Sequence, residues 1–376
     1  MIKIIQVDVN SKSSRNRFVE IPFKLYKDCP QWTPPFKTDI HMMMNAKEHP
    51  YYDHSIADFF IAERDGEDVG RIAALINKPY NQYHSSKDAE FYLFECINDQ
   101  ETAAALINKV IDWAKARGMT KLVGPKGFGP LDGYGIQIEG FEHRQMMNMM
   151  NYNYPYYQAL IENLGFTKVV DFVSSYVQPN NFILPEKVKK AADIAIKRDT
   201  FEVLTFRNKA HLKKWAPKIG QAYNKAFVKN WEYYPLSQRE IDYVVKNVLT
   251  IVIPELLKVI IKDGEVVGFV LPFPDVSRAM QRNKGNLGLI DLLRLLNEVK
   301  KTDWISFNGV GILPEFQGFG GNAIIYRELQ QAMQSRTQFV HSELTQVAET
   351  AVQMRKDLVN LGVRFYKNHR VYQKEI

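Results

Sequence analysis

A repeated phrase constrains the fold of this 376-residue chain more than any other feature. Residues 65–72 read DGEDVGRI, and residues 263–270, about 198 positions later, read DGEVVGFV. A second pair follows at nearly the same offset, with NLGF at residues 163–166 and NLGV at residues 360–363. Because duplicated units leave related sequence at a fixed period, these two echoes predict two copies of one domain.

Length and composition agree with two globular domains of ~100–200 residues each, which we divide into residues 1–183 and 184–376. Hydrophobic residues make up 45% and charged residues 24% of the chain, as in ordinary globular proteins. The first seven residues resemble a strand rather than a signal peptide, and no apolar run approaches the ~20 residues of a membrane span. Only Cys29 and Cys96 are present. We therefore predict a cytoplasmic protein with no disulfide framework, no transmembrane segment and no metal site.

The two halves differ in charge. Residues 1–180 contain 19 Lys and Arg against 22 Asp and Glu, a net charge of −3, whereas residues 181–376 contain 30 against 20, a net charge of +10. A basic second half suits an anionic ligand, although charge also drifts between protein surfaces without function. No run of Lys and Arg, zinc-ligand spacing or aromatic RNA-binding motif occurs, so no nucleic-acid partner is expected.

Only the second copy carries a glycine loop, Gln317–Asn322, between a strand predicted over residues 304–312 and a helix predicted over residues 323–333. A helix N-terminus leaves backbone amides without acceptors and carries a partial positive charge. Glycines before such a helix let the backbone close around a phosphate without Cβ clashes. The loop predicts an anion-binding site; the alternative is a glycine-rich turn that only begins a helix.

Three motifs, in this order, resemble the GNAT acyltransferase superfamily: the hairpin at 263–268, the strand and loop at 310–320, and the helix end at 360–362. Residues 22–35 and Tyr156–Gly165 further resemble a group of bacterial tandem GNAT-like proteins. The resemblance implies an α/β fold of two tandem GNAT-like domains, each with a mixed, mostly antiparallel sheet flanked by helices. The first domain is degenerate at the cofactor loop.

By the same resemblance, acetyl-CoA or another acyl-CoA is the cosubstrate, without a metal. The positions it assigns to the cofactor are Ile312, Leu313, Gln317, Gly318, Phe319, Gly320, Gly321, Asn322 and Ala323. Asn322 departs from the family, which has Gly or Ala there, although its backbone donor remains. In the first copy the matching segment, Asn98–Glu101, has no glycine and two carboxylates, which repel a pyrophosphate but suit a helix start. We predict a structural or acceptor-binding role for that copy.

Catalysis in this superfamily, as the resemblance implies, is direct attack of an amine on the thioester. A tyrosine often protonates the leaving thiolate, but its positions here hold Leu358 and Ile161. Candidate bases are Glu343 and His341, which are two residues apart on one strand face. Asn308 is a candidate for polarising the thioester carbonyl. Each of these three also fits a structural role: an ion pair, a core histidine and a bulged backbone.

Several segments are candidates for the acceptor side. Trp231, Tyr233 and Tyr234 lie between the first two helices of the second copy, the region that sets acceptor choice in the superfamily, although surface packing explains them nearly as well. The insertion 277–300 has the spacing of an amphipathic helix and fits a lid packed on the first domain, a homodimer contact or, with Arg282, Lys284 and Arg294, a membrane-surface helix.

Two stretches of the first copy are unusual in composition. The Met- and Tyr-rich residues 146–154 fit either an adaptable pocket wall or a loop flanking the core. The glycine cluster 124–135 predicts a long shaped loop rather than a nucleotide site.

Two functions remain open from sequence. The first is an acyl-CoA-dependent N-acyltransferase acting on a small-molecule or peptide amine. The second is a non-catalytic protein of the same fold that binds acyl-CoA or a partner. The glycine loop and basic half favour the first, and the missing tyrosine favours the second.

Overall fold

The computed structural model of the protein describes residues 1–129, 132–146, 150–198 and 201–376. No helix within these ranges is both long enough and apolar enough to cross a membrane. The same part of the chain contains no group of three or more His, Cys, Asp or Glu side chains placed to hold a metal ion. Pro130 and Leu131 of the glycine cluster, and residues 147–149 of the Met-rich stretch, lie outside the described residues.

Strands and helices follow one another in the mixed order that the sequence predicts. The strands are β1 (Ile2–Gln6), β2 (Ile56–Arg64), β3 (Glu67–Ile76), β4 (Asp88–Cys96), β5 (Lys121–Gly124), β6 (Ile136–Glu139), β7 (Thr167–Val177), β8 (Glu202–Thr205), β9 (Lys258–Lys262), β10 (Glu265–Pro274), β11 (Trp304–Ile312), β12 (His341–Ala348) and β13 (Arg364–Glu375). The helices are α1 (Lys12–Leu25), α2 (Lys37–Met43), α3 (Lys78–His84), α4 (Gln100–Lys115), α5 (Tyr156–Glu162), α6 (Glu186–Lys197), α7 (Lys209–Ala226), α8 (Gln238–Ile251), α9 (Ser277–Asn283), α10 (Leu289–Lys301), α11 (Gly321–Gln334) and α12 (Val352–Asn360).

The chain divides into two compact units that are interleaved along the sequence. The first unit contains Met1–Val173, Ser277–Leu295 and Lys367–Ile376, and the second contains Ser174–Val276 and Leu296–Tyr366. The last strand of the chain thus belongs largely to the first unit, where it pairs antiparallel with β5 from Tyr372 to Glu375. The boundary that we placed between residues 183 and 184 stays a prediction.

The first unit is a sheet covered on both faces. The order β1-β2-β3-β4-β5-β13 is antiparallel except for the parallel pair β4 and β5. Successive residues of β2 and β3 point to opposite faces, as the pleat requires, so each face has its own core. One core, with α4 and α5, includes Phe60, Ile72, Leu106, Val110 and Leu160, and the other, with α1 and α2, includes Phe18, Ile40, Phe59, Ile61 and Leu75.

The second unit repeats this arrangement. Its order is β8-β9-β10-β11-β12, again antiparallel except for the parallel pair β11 and β12. Helix α7 lies against one face, where Gly311 gives room for Phe269 and Ala226, and α11 lies against the other, beside Ile312. The fold is therefore two copies of one mixed α/β domain with mostly antiparallel sheets, as predicted.

The repeated phrase forms the same hairpin in both units. Asp65 and Gly66 join β2 to β3 with φ of 53° and 84°, and Asp263 and Gly264 join β9 to β10 with φ of 50° and 77°. Positive φ at both central residues is the two-residue turn whose twist matches antiparallel strands, and Asp-Gly favours it. The hairpin prediction is confirmed.

The insertion forms α9 and α10, and its first part packs within the first unit. The side-chain amide of Gln281 donates to the backbone carbonyls of Pro30 and Trp32 at 2.8 and 2.9 Å. The backbone amide of Lys37 donates to the carbonyl of Gly285 at 2.9 Å. The expectation that this segment packs on the first domain is confirmed for α9, whereas its role as a lid stays a prediction.

Candidate functional site

The second unit opens between two parallel strands. β11 and β12 pair from Trp304 and His341 to Phe307 and Leu344. Opposite Leu271 of β10, two residues of β11, Asn308 and Gly309, stand where one would fit, so the strand bulges there. Gly309 has a φ of +87°, which favours glycine. Among the described residues, the pairing of β11 with β12 ends at Phe307 and Leu344, just before the bulge, and β11 continues to Ile312.

The glycine loop lies at the far end of β11. Gly318 and Gly320 have φ of +84° and +92°, and Gly320 is the N-cap residue of α11, with no side-chain cap hydrogen bond. The first amide of α11 to find an intrahelical acceptor is that of Ile324, which donates to the carbonyl of Gly320 at 3.1 Å. The amides of Gly321, Asn322 and Ala323 therefore precede the hydrogen-bond ladder, and the helix dipole adds partial positive charge there.

The predicted cofactor residues form the end of β11, the glycine loop that follows it and the first turn of α11. Ile312 and Leu313 are buried at the end of β11, and the Gln317 side-chain amide donates to the carbonyl of Ile312 at 3.1 Å. Phe319 is exposed, and nothing lies within 4 Å of the position that a Cβ on Gly318 would take. The loop is thus open on the side of Gly318 and Phe319, with room for a phosphate group.

Helix α6 closes the other side of the loop, which the sequence did not indicate. A Cβ on Gly320 would lie 2.7 Å from the Cβ of Ala195 in α6. Alongside α11, Arg327 pairs with Asp193 at 3.4 Å, and the Gln330 amide donates to the carbonyl of Phe182 at 2.9 Å. Gly320 is therefore required by packing as well as by its backbone angle.

Glu343, a predicted base, is fully buried on β12 beside the opening. It pairs with Ser306, one position before the last pair of the parallel segment. The Tyr366 hydroxyl donates a hydrogen bond to Glu343 Oε2. Tyr366 comes from β13, so a phenol stands next to this carboxylate although the usual tyrosine position holds Leu358, which is buried.

His341, the other predicted base, lies farther from the bulge. Its Nδ1 is 2.6 Å from the Tyr176 hydroxyl, and its ring stacks on Trp304 with centroids 4.6 Å apart. Trp304 precedes Asn308 by four residues, roughly 13 Å along a strand. The rings of Tyr176 and Tyr366 are 5.9 Å apart, so His341 and Glu343 are linked through two tyrosines. Local patterns did not reveal either tyrosine, because both arrive from strands distant in sequence.

The aromatic segment between α7 and α8 is partly structural. Tyr234 is buried, and its hydroxyl donates to Glu240 Oε1 at 3.1 Å. Glu240 also completes a capping box with Ser237 at the start of α8. Trp231 and Tyr233 are half-buried. Tyr234 therefore stabilises the helix start, and acceptor binding by Trp231, Tyr233 and Tyr234 stays a prediction.

An apolar cavity of about 60 Å³ lies between α7, α8 and β10. Its walls include Leu212 and Ile219 of α7, Val245 and Val248 of α8, and Leu271 of β10. Leu271 is the residue opposite the bulge, so the cavity reaches the same part of β11 from the α7 face. Tyr223 also lines it, and burial, with Glu232 nearby, raises the pKa of its hydroxyl.

The first unit has the same bulge but fills its opening. Two residues of β4, Leu93 and Phe94, stand where one would fit opposite β3, and Leu93 has a φ of 49°. The Tyr157 hydroxyl accepts from the Cys96 amide at 3.1 Å and donates to Glu95 Oε2 at 2.7 Å. The backbone of Cys96, which aligns with Ile312 of the second unit, is therefore occupied by this unit's own side chain.

Further polar contacts occupy the same region of the first unit. Tyr26 also donates to Glu95 at 2.6 Å, and burial raises the pKa of Glu95 while the charge of Arg71 lowers it. At the start of α4, the Asp99 carboxylate accepts from the Thr102 amide at 2.8 Å and pairs with Arg64 at 2.6 Å. The segment without glycine thus caps its helix and neutralises its charge internally, in agreement with a degenerate first copy.

Comparison with known proteins agrees with this fold. No family model matches the chain. The tandem GNAT protein from the clavulanic acid biosynthesis pathway has a TM-score of 0.57 at 10% identity, covering 100% of this chain and 98% of that chain. A GCN5-related N-acetyltransferase from Sphaerobacter thermophilus has a TM-score of 0.52 at 13% identity, covering 100% and 95%. The chain therefore has a tandem GNAT-like fold.

Two relatives are similar in sequence over nearly their whole length. Protein YghO of Escherichia coli (strain K12) is 25% identical over 371 residues, which cover 97% of this chain and 94% of the relative. Bacterial ceramide synthase of Caulobacter vibrioides (strain NA1000 / CB15N) is 25% identical over 377 residues, which cover 98% and 97%. Both span the two units.

Proposed function

We propose that the protein is an acyl-CoA-dependent N-acyltransferase whose second unit binds the acyl-CoA. The observation that carries this proposal is the opening between β11 and β12, which begins at the bulge of Asn308 and Gly309 and leads to the open glycine loop. A pyrophosphate would meet the amides from Gly318 to Ala323, with acetyl-CoA or a longer acyl-CoA extending along β11 towards the bulge. The ceramide synthase relative supports acyl transfer, since a ceramide is the amide of a long-chain amine.

The reaction joins the amine nitrogen to the thioester carbonyl carbon, and the carbon–sulfur bond breaks. In this proposal Asn308, which lies at the bulge, polarises the carbonyl oxygen. Glu343 takes the proton that the amine loses, because it is the carboxylate closest along the strand to the opening. Tyr366, hydrogen-bonded to Glu343, protonates the leaving thiolate in place of the missing helix tyrosine, and Glu343 passes the proton from the amine to the Tyr366 phenolate, which restores both groups.

A panel of amines with detection of released thiol tests this proposal in the wild type, Glu343→Gln and His341→Gln. We expect Glu343→Gln to lower turnover by ~100- to 10,000-fold, the usual range of a general base, with little change in acyl-CoA affinity. His341→Gln should change turnover far less, because His341 lies farther from the bulge. Full activity in Glu343→Gln would place the base elsewhere.

A non-catalytic protein that binds acyl-CoA is the second candidate, favoured by the buried Leu358 at the tyrosine position. Wild-type protein that binds acyl-CoA but releases no thiol with any amine would support this candidate.

A further inference from the structure

The cavity between α7 and α8 has walls made almost wholly of aliphatic side chains, and it lies next to the proposed reaction centre. Leu271 forms its sheet-side wall, and Gly309, at the bulge, lies against the same side chain: a Cβ on Gly309 would be 3.1 Å from Leu271 Cδ1. An acyl chain that extends from a thioester carbonyl at the bulge towards α7 would contact Leu271. The cavity volume of about 60 Å³ accommodates roughly four to six water-sized groups, at ~10–15 Å³ each.

We propose that this cavity holds the alkyl chain of a fatty acyl group, so that the donor is an acyl-CoA longer than acetyl-CoA. This inference rests on the proposed function, because it takes the thioester to lie at the bulge. An acetyl group supplies one methyl, which leaves most of the cavity empty, whereas an unbranched alkyl chain fills it and contacts its mostly aliphatic walls. Burial of each methylene should tighten binding by about threefold to fourfold.

Calorimetric titration with CoA, acetyl-CoA, hexanoyl-CoA and octanoyl-CoA tests the assignment. In the wild type we expect affinity to rise with chain length while CoA itself binds independently of the cavity. Ala216→Leu fills the cavity from α7 and should remove the gain without changing CoA affinity. Gln221→Leu adds the same side chain on the exposed side of α7 and serves as the matched control. Val245→Phe fills the cavity from α8, should Ala216→Leu fail to fold.

The outcomes separate this inference from the proposed function. Normal CoA binding with no gain from longer chains overturns the cavity assignment and leaves the acyltransferase proposal standing. A gain that persists in both filled variants also overturns the assignment, because the chain then lies elsewhere. If affinity rises with the chain length of the amine and not with that of the acyl-CoA, the cavity binds the acceptor. Absence of CoA binding overturns both proposals together.

A second inference comes independently from α10, which exposes an apolar face. Leu289, Ile290 and Leu293 are 86%, 67% and 66% exposed, and Leu292 and Leu296 are exposed beside them. These residues share one side of the helix at the spacing of its turns, while Leu295 and Glu298 are buried. A contiguous apolar face of this kind on a surface helix marks an interaction site.

The charged residues beside this face are mostly cationic. Lys284, Arg294, Lys300 and Lys301 are exposed near or on α10. Of the acidic residues on α10, Asp291 is held by Arg294 at 3.4 Å and by the Gly288 amide at 3.0 Å, and Glu298 is buried. Pairing with a second copy of this chain would bring two cationic faces together, whereas an anionic surface would be attracted.

We propose that α10 binds the surface of an anionic lipid bilayer, with its leucines in the acyl boundary and its cations at the headgroups. Apolar side chains on one side flanked by Lys and Arg are the pattern of an interfacial helix, and each cation near an anionic surface strengthens binding. This proposal does not require catalysis.

Sedimentation with phosphatidylglycerol/phosphatidylcholine vesicles, with pure phosphatidylcholine as comparison, tests it. We expect the wild type to bind the anionic vesicles at least tenfold better, with the preference weakened by salt. The triple change Leu289→Ser, Ile290→Ser and Leu293→Ser should lower binding at least tenfold. A control triple elsewhere, Ile183→Ser, Ile194→Ser and Val359→Ser, also removes exposed apolar side chains and should bind like the wild type.

The proposal is overturned if the α10 triple variant and the control triple variant bind anionic vesicles equally well. It is also overturned if the wild type does not sediment with these vesicles. A wild-type dimer that becomes monomeric only in the α10 triple, without vesicle binding, assigns the face to a second copy.

Discussion

Gly309 of β11 lies against Leu271 of β10, so closely that an added Cβ would come within 3.1 Å of Leu271 Cδ1. The bulge of β11 lies opposite Leu271, and Leu271 also lines the apolar cavity. The first unit makes the same bulge with Leu93, at a φ of 49°, and closes the opening with Tyr157. The two units thus share the backbone bulge, but side chains occupy the opening in the first unit and leave a candidate site in the second.

Gly309→Ala should destabilise the second unit by more than a backbone effect alone. A left-handed residue with a Cβ costs ~1–2 kcal/mol, and here the contact with Leu271 adds to it. Gly66→Ala, at a φ of 84° with nothing within 4 Å, shows the backbone cost only. Urea unfolding of both variants measures the difference, and equal losses would show that Leu271 moves away freely.

Tyr157→Phe should lower the unfolding free energy of the first unit by about 1–3 kcal/mol, because it leaves the buried Cys96 amide without its acceptor and removes a donor from Glu95. Ser13→Ala removes a hydroxyl from an exposed side chain of the same unit and should change stability by at most ~0.5 kcal/mol. Equal stability of the two variants would contradict a structural role for the Tyr157 hydroxyl.

Asp132 should make stability depend on pH. Burial raises its pKa from 3.8 to about 6, although the amides of Gly129 and Phe128 donate to it. The folded state therefore prefers the protonated form, and this contribution is present below pH 4 and lost as the pH rises through 6. The slope from this group is at most ~1.4 kcal/mol per pH unit.

Denaturant unfolding between pH 4 and 7 measures that slope. Asp132→Asn should remove the Asp132 contribution, whereas Asp28→Asn, which changes an exposed carboxylate, should follow the wild type. An unchanged profile in Asp132→Asn would assign the pH dependence to other groups.

Local sequence predicted the features that depend on short stretches of chain. Asp263-Gly264 fixes a hairpin, Gly309 marks a bulge, and Gly318 and Gly320 mark a helix start, because each rests on the backbone freedom of one or two residues. The site partners Tyr176 and Tyr366 were missed, since they reach β12 only through strands that the sequence does not order. The same reason hides the membership of the C-terminal strand in the first unit.

Titration calorimetry with CoA tests the central claim, that one unit of this tandem fold binds the cofactor. We predict one equivalent of CoA per chain. Asn322→Asp places a negative charge in the first turn of α11 without the backbone strain of a change at Gly320, and it should lower affinity at least tenfold, about 1.4 kcal/mol. The matched change Gln100→Glu, at the start of α4, should leave affinity unchanged. Two equivalents per chain, no binding, or equal affinity of Asn322→Asp and the wild type would contradict the account.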